Sequence, residues 1–213
     1  MKPSFRLLRV LAAPTVTTPN SMGPTAEDPQ AETVTRWCVL PWDVDLFGHM
    51  NNSRYLLLMD FARVHYLRRT GLLEPALKKR WIMPVAAANV DFHRPLKPFE
   101  TFEIVTQVLS WDDRWFFMRQ IFRTRKGPVR TVATGYVKTI IRSPSGVVEP
   151  AELARIVCGR DMAPPVLPPD LWARFGEQHT ARQTPCQTPR HNGHSLVDVS
   201  IVDVDLRWRA VDR

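Results

Sequence analysis

Cysteine is scarce in this chain: three residues in 213, Cys38, Cys158 and Cys186, with no C-x-x-C spacing. An odd number so spaced argues against a disulfide framework and against a thiolate zinc site, and for a reducing compartment. No apolar run reaches the roughly eighteen residues that a membrane-spanning helix needs. The chain also lacks a G-x-S-x-G elbow, and none of its cysteines has an obvious histidine partner. A serine or cysteine triad is therefore not expected.

What is present is an uneven positive charge. The net charge is +8, and residues 41–143 account for all of it, with seventeen basic against nine acidic side chains. Such an excess fits either a plain solvated surface or an anionic partner: nucleic acid, an anionic membrane surface or a polyphosphate ligand. Residues 111–123 interleave aromatics with arginine, but no zinc-finger or RNA-recognition consensus accompanies them, so no nucleic-acid partner is expected. The chain length suits one domain of about 100–150 residues with appendages.

Residues 1–32 are rich in Pro, Thr and Ala and bury little, which predicts disorder. Lys2, Arg6 and Arg9, without an acid in the first 26 residues, fit either a short mitochondrial presequence or a plain tail. Localisation is thus left between mitochondrial and cytoplasmic. A strand is predicted over Thr33–Leu40, and a helix from Asn52 or Ser53 as N-cap to Gly71 as C′ residue. Apolar residues at 55, 56, 59, 62, 66 and 67, broadened by Leu57, Leu58, Phe61 and Val64, predict that this helix is wrapped on most sides. Strands follow over 85–93, 101–110, 115–124 and 129–142, the last three joined by W-D-D-R and K-G-P turns as a meander. One buried helix with a long antiparallel sheet curved around it is an α+β architecture. Residues 144–176 read as a turn, a short helix from Pro150 to Val157 and a proline-rich arm. Residues 177–213 read as a polar tail, with 196–208 either an added strand or disordered.

The stretch with the densest chemistry is W-D-V-D-L-F-G-H-M-N-N-S-R-Y, residues 42–55. A carboxylate beside the start of a buried helix can act as a base or nucleophile, while the free N–H groups there polarise a carbonyl. Gly48 permits positive φ and close approach of a ligand, or is simply a turn glycine. Asn51 and Asn52 read as helix caps, with Asn51 the better candidate to touch a substrate. The backbone N–H groups near His49 and Met50 are candidate oxyanion donors. Asp43 reads as loop-shaping. Asp60, inside L-L-L-M-D-F-A, is costly there unless paired; it is either a second acid of a site or a partner of Arg63.

The order strand, D-x-D-x-x-G-H-M-N-N, buried helix, long strands resembles the hotdog-fold thioesterase superfamily over roughly residues 33–143. Residues 42–55 look like the 4-hydroxybenzoyl-CoA thioesterase type, and the run D-V-D-L-F-G-H-M-N-N is also similar to plant acyl-ACP thioesterases. Three further stretches, F-A-R-V at 61–64, W-D-D-R-W-F-F at 111–117 and P-P-V-L-P-P-D-L at 164–171, are similar to the member-six group of that superfamily.

The resemblance implies hydrolysis of an acyl-CoA or acyl-ACP by a homodimer or dimer of dimers, with no metal and no organic cofactor. It makes Asp45 the catalytic base or nucleophile, against a reading as a loop aspartate bonding backbone N–H groups, and matches His49 to the histidine of the plant type. Arg119, Arg123, Arg125, Lys126, Arg130 and Lys138 are candidate phosphate contacts or a solvated sheet face. The further acid of the plant enzymes has no clear counterpart. That gap keeps open a second reading, a hotdog protein that binds acyl-CoA or a protein partner without turnover.

Overall fold

The structure is a computed structural model that describes residues 30–124, 127–166 and 169–175. The expectations for residues 1–29 and 176–213, and those for Arg125 and Lys126, lie outside these residues. The elements run β1 (Thr33–Cys38), a 3₁₀ turn (Pro41–Asp43), α1 (Asn52–Arg69), α2 (Leu73–Lys78), β2 (Val85–Phe92), β3 (Thr101–Trp111), β4 (Phe116–Thr124) and β5 (Arg130–Thr139). Then follow β6 (Ile141–Ser143), β7 (Gly146–Val148), α3 (Pro150–Cys158) and α4 (Pro169–Phe175). The first five strands form one antiparallel sheet in the order β1-β3-β4-β5-β2.

The expected α+β hotdog architecture is what the chain adopts: a curved sheet around one long helix. Curvature has a local cause. Register shifts between Val108 and Ser110, between Phe122 and Arg123, and between Val85 and Ala87 insert bulges, and each bulge bends its strand. The period-2 pattern of β3 puts Phe102, Ile104, Thr106 and Val108 on one face, and α1 lies across it. Tyr55, Leu58, Met59 and Ala62 of α1 are buried with Phe102, Ile104, Phe122 and Val137 of the sheet. Each large side chain so buried stabilises by about 1.5–3 kcal/mol. Gly135 on β5 is where helix and sheet approach most tightly: a Cβ there would stand 2.5 Å from the Met59 methyl.

Two features depart from the expectations, the split of the last long strand and two extra helices, and two readings left open, the helix cap and the partner of Asp60, are decided. The helix N-cap is Asn51, whose side chain accepts from the Ser53 N–H. The last long strand splits, because residues after Thr139 leave the sheet and pair Ile141–Ser143 with Gly146–Val148. Two short helices, α2 and α4, stand where the sequence suggested none; Leu171 and Phe175 of α4 pack on Trp115 and Phe117, on the other side of the sheet. Finally, Asp60 points to solvent with 59% of its side chain exposed. The group actually buried is Arg63, which pairs with Asp60 and donates to Gln120 Oε1 at 3.0 Å. Gln120 in turn donates to the Met59 carbonyl and to Thr106 Oγ1, so the guanidinium under the helix has acceptors on both sides. Burial lowers the Arg63 pKa to about 10, still far above neutrality.

Candidate functional site

The segment between β1 and α1 is held by backbone bonds as well as by packing, with Val39 and Met50 in the core and Val44 against it. Val44 and Met50 form an isolated antiparallel bridge. Inside it, the Asp45 N–H donates to the His49 carbonyl at 2.9 Å, and the Gly48 N–H to the Asp45 carbonyl at 3.1 Å. Gly48 supplies φ +77°, which a side chain would resist, so the tight return is possible only there. The ends are anchored by the Met50 N–H to Leu96 carbonyl bond and the Asn51 N–H to Asp43 carbonyl bond. The loop therefore presents its tip at the start of α1.

Asp45 closes this loop from within. Its Oδ1 accepts the Phe47 N–H at 2.9 Å and the His49 N–H at 3.4 Å, an Asx-type turn. Its second oxygen, Oδ2, has no hydrogen-bond partner among the described residues, and the side chain is half-buried. One carboxylate thus shapes the loop with one atom and leaves the other unengaged among the described residues. His49 is half-buried beside it, and its ring makes no hydrogen bond among the described residues.

The other residues divide. Gly48 and Asn51 lie on the same loop as Asp45 and His49. Met50 is buried in the core, and its N–H is already spent on Leu96. The donor at the helix start without an acceptor among the described residues is the Asn52 N–H, at the first helical position, where the helix dipole is positive. Asp60 sits two turns along α1, committed to Arg63. Asp43 is buried, accepts the Leu40 N–H at 2.9 Å and lies 3.7 Å from the Arg54 guanidinium. Arg54 also donates to the Trp42 carbonyl at 3.1 Å, clamping the loop to the first turn of α1. Neither Arg54 nor Leu96 stood out in the sequence; an arginine three residues after an N-cap carries no signal until the loop folds back on it. The Tyr55 phenol, deep at this end, has its pKa raised to about 12 by burial and by the charge of Glu100.

Around the loop the surface is apolar: Trp42, Leu46, Phe47, Leu56 and Phe99 are all exposed. Of the candidate phosphate contacts, Arg119 donates to Gln107, Arg123 pairs with the buried Glu103, and Lys138 is buried over the Trp115 ring. No group of metal-ligating side chains occurs among the described residues.

A family profile described as the thioesterase-like superfamily matches residues 39–175. Protein THEM6 of Xenopus laevis is 33% identical over 143 residues, 65% of this chain and 66% of that protein. Protein THEM6 of Danio rerio is 32% identical, over 70% of this chain and 72% of its own length. Among solved structures, 4-hydroxybenzoyl-CoA thioesterase from Pseudomonas sp. strain CBS-3 superposes with TM-score 0.54 at 18% identity, covering 60% of this chain and 99% of that one. At that identity the likeness speaks for the fold. The chain belongs to the thioesterase-like superfamily.

Proposed function

We propose that this member of the thioesterase-like superfamily hydrolyses the thioester of an acyl-CoA or acyl-ACP, with Asp45 as general base or nucleophile. The observation that carries the reading is the split use of the Asp45 carboxylate. Oδ1 is fixed by two backbone N–H groups, which leaves Oδ2 without a partner among the described residues, on the loop that runs into the N-terminus of α1. A thioester carbonyl placed there meets the Asn52 N–H and the positive end of the helix dipole as its oxygen gains charge. Oδ2 either takes a proton from water as water attacks the carbonyl carbon and passes it to the sulfur as the carbon–sulfur bond breaks, or attacks that carbon itself. In that case it expels a thiolate that takes a proton from solvent, and water then hydrolyses the mixed anhydride to free acid and carboxylate. His49, next to the same face of the loop, orients the water or carbonyl.

A homodimer fits the exposed edge of the sheet. Among the described residues, strand β2 (V-A-A-A-N-V-D-F) pairs with β5 on one side only, and a single charged residue, Asp91, guards its length. An edge so lightly charged is a template for a second copy. The second reading, binding without turnover, draws on a different observation: the other acids of the loop and of α1, Asp43 and Asp60, are both engaged elsewhere. An acyl-CoA and acyl-ACP hydrolysis panel on wild type and Asp45→Asn separates the two. Turnover lost in the variant supports the Asp45 assignment; turnover that survives removes it, and binding without turnover in the wild type selects the second reading.

A further inference from the structure

We propose that Arg54 is a positioning residue for the Asp45 site: through Asp43 it sets where the Asp45 carboxylate stands relative to the first N–H groups of α1. The proposal rests on the thioesterase reading above and adds to it a residue that acts on the base without touching the substrate.

Asp43 is the fixed point of the loop. Its side chain is only 1% exposed. Its Oδ2 accepts the Leu40 N–H at 2.9 Å, and its own N–H donates to the Leu40 carbonyl at 2.8 Å, which ties it to the strand side of the loop. Its carbonyl accepts the Asn51 N–H at 2.8 Å, which ties it to the N-cap of α1. Asp45 follows two residues later, and Asn52 comes directly after the N-cap. The carboxylate and the backbone donor are thus each a short step from the same anchored residue.

Arg54 closes this anchor from the helix side. It stands in the first turn of α1, with Nε 3.7 Å from Asp43 Oδ1 and Nη2 donating to the Trp42 carbonyl at 3.1 Å. A planar guanidinium serves a carboxylate and a carbonyl together, whereas an ammonium is a point charge without that fork. The Arg54 side chain is 36% exposed, and ion pairs at such exposure contribute little to stability. Placement is another matter, since a shift of about 1 Å at a reacting group can cost about 100-fold in rate. Loss of Arg54 should therefore leave the protein folded and displace the base.

The test is steady-state kinetics of the full chain on an acyl-CoA and on the matching acyl-N-acetylcysteamine, which keeps the thioester and lacks the phosphates. Arg54→Ala is expected to lower kcat about 10-fold or more on both, with KM within about threefold. Its melting temperature should stay near wild type. Arg54→Lys should recover part of the lost kcat, and if Arg54→Ala does not fold, Arg54→Lys carries the expectation as a loss of about threefold. Because Arg54 acts through Asp45, adding Arg54→Ala to Asp45→Asn should slow the residual rate by no more than about twofold.

Wild-type kcat in Arg54→Ala, beside an inactive Asp45→Asn, overturns the positioning role and leaves the thioesterase reading intact. A loss confined to KM, or to the phosphate-bearing substrate, assigns Arg54 to substrate binding and overturns the proposal. So does full multiplication of the two losses in the double variant. No turnover in the wild type, or full turnover in Asp45→Asn, overturns the Asp45 reading and the positioning role with it.

Discussion

The two ends of α1 are built from opposite materials. At the N-terminus, a loop of polar side chains and backbone bonds surrounds Asp45, with exposed Leu46 and Phe47 at the tip. At the C-terminus, Tyr66 and Leu67 meet an apolar cleft roofed by α3, and His65 is buried. One helix thus offers a positive dipole end to solvent and chemistry, and a greasy end to packing. The difference teaches where polar groups can stay unengaged: local backbone bonds hold the loop at the N-terminus, so the second Asp45 oxygen and the His49 ring are not needed to hold it. Nothing at the C-terminus has such latitude.

The largest effect should come from the polar end. Asp45→Asn is expected to lower kcat/KM on acyl-CoA substrates about 100-fold or more, the scale of losing a general base. The melting temperature should stay near wild type, because the amide oxygen still accepts the Phe47 N–H. Loss of activity with a collapsed melting temperature would mean that Asp45 serves the loop alone.

The apolar end should answer to pH instead. Burial, then the charges of Arg69 and Arg68, push the His65 pKa down to about 4. An unfolded histidine binds its proton near pH 6.5, so acidification from there towards pH 4 protonates the unfolded state first and removes stability. The loss should be on the order of 2–3 kcal/mol across that window, read by urea unfolding at fixed pH values. His65→Leu should flatten that part of the profile; an unchanged slope would place the acid sensitivity elsewhere.

Midway between the ends, Gln120→Leu removes an acceptor of the buried Arg63 guanidinium and the bonds to Met59 and Thr106. A cost of about 2 kcal/mol in denaturant unfolding is expected. The smallest effect belongs to Asn51→Ala, which deletes the N-cap of α1: about 1 kcal/mol of stability. If activity falls much further than stability in that variant, Asn51 touches substrate as well as capping the helix.

Much of this architecture was legible in residue order. Apolar spacing marked α1, alternation marked β3, and W-D-D-R was read as a turn that Asp112 does close, accepting the Arg114 and Trp115 N–H groups. The D-x-D-x-x-G-H-M-N-N run was read as a loop leading into a buried helix, which is where it lies. The same patterns left Asp60 between a second acid and a partner of Arg63, and it is the partner; they did not show which of the two is buried, because a helical face of leucines shows that a charge is nearby but not which way it rotates. They also missed α4, since a proline-rich arm looks unstructured until Leu171 and Phe175 find the sheet face beneath them.

Periodicity, turn residues and caps act over a few positions, and such short-range terms suffice to choose helix, strand and bend for most of residues 33–143. Which Asp45 oxygen stays available, which backbone N–H is spent on Leu96, and whether Arg63 finds Gln120 depend on groups up to 57 residues apart. Hydrogen bonds and burial at that separation exist only once the sheet has curved around the helix. The loop's chemistry was therefore written locally, and its geometry was settled by packing.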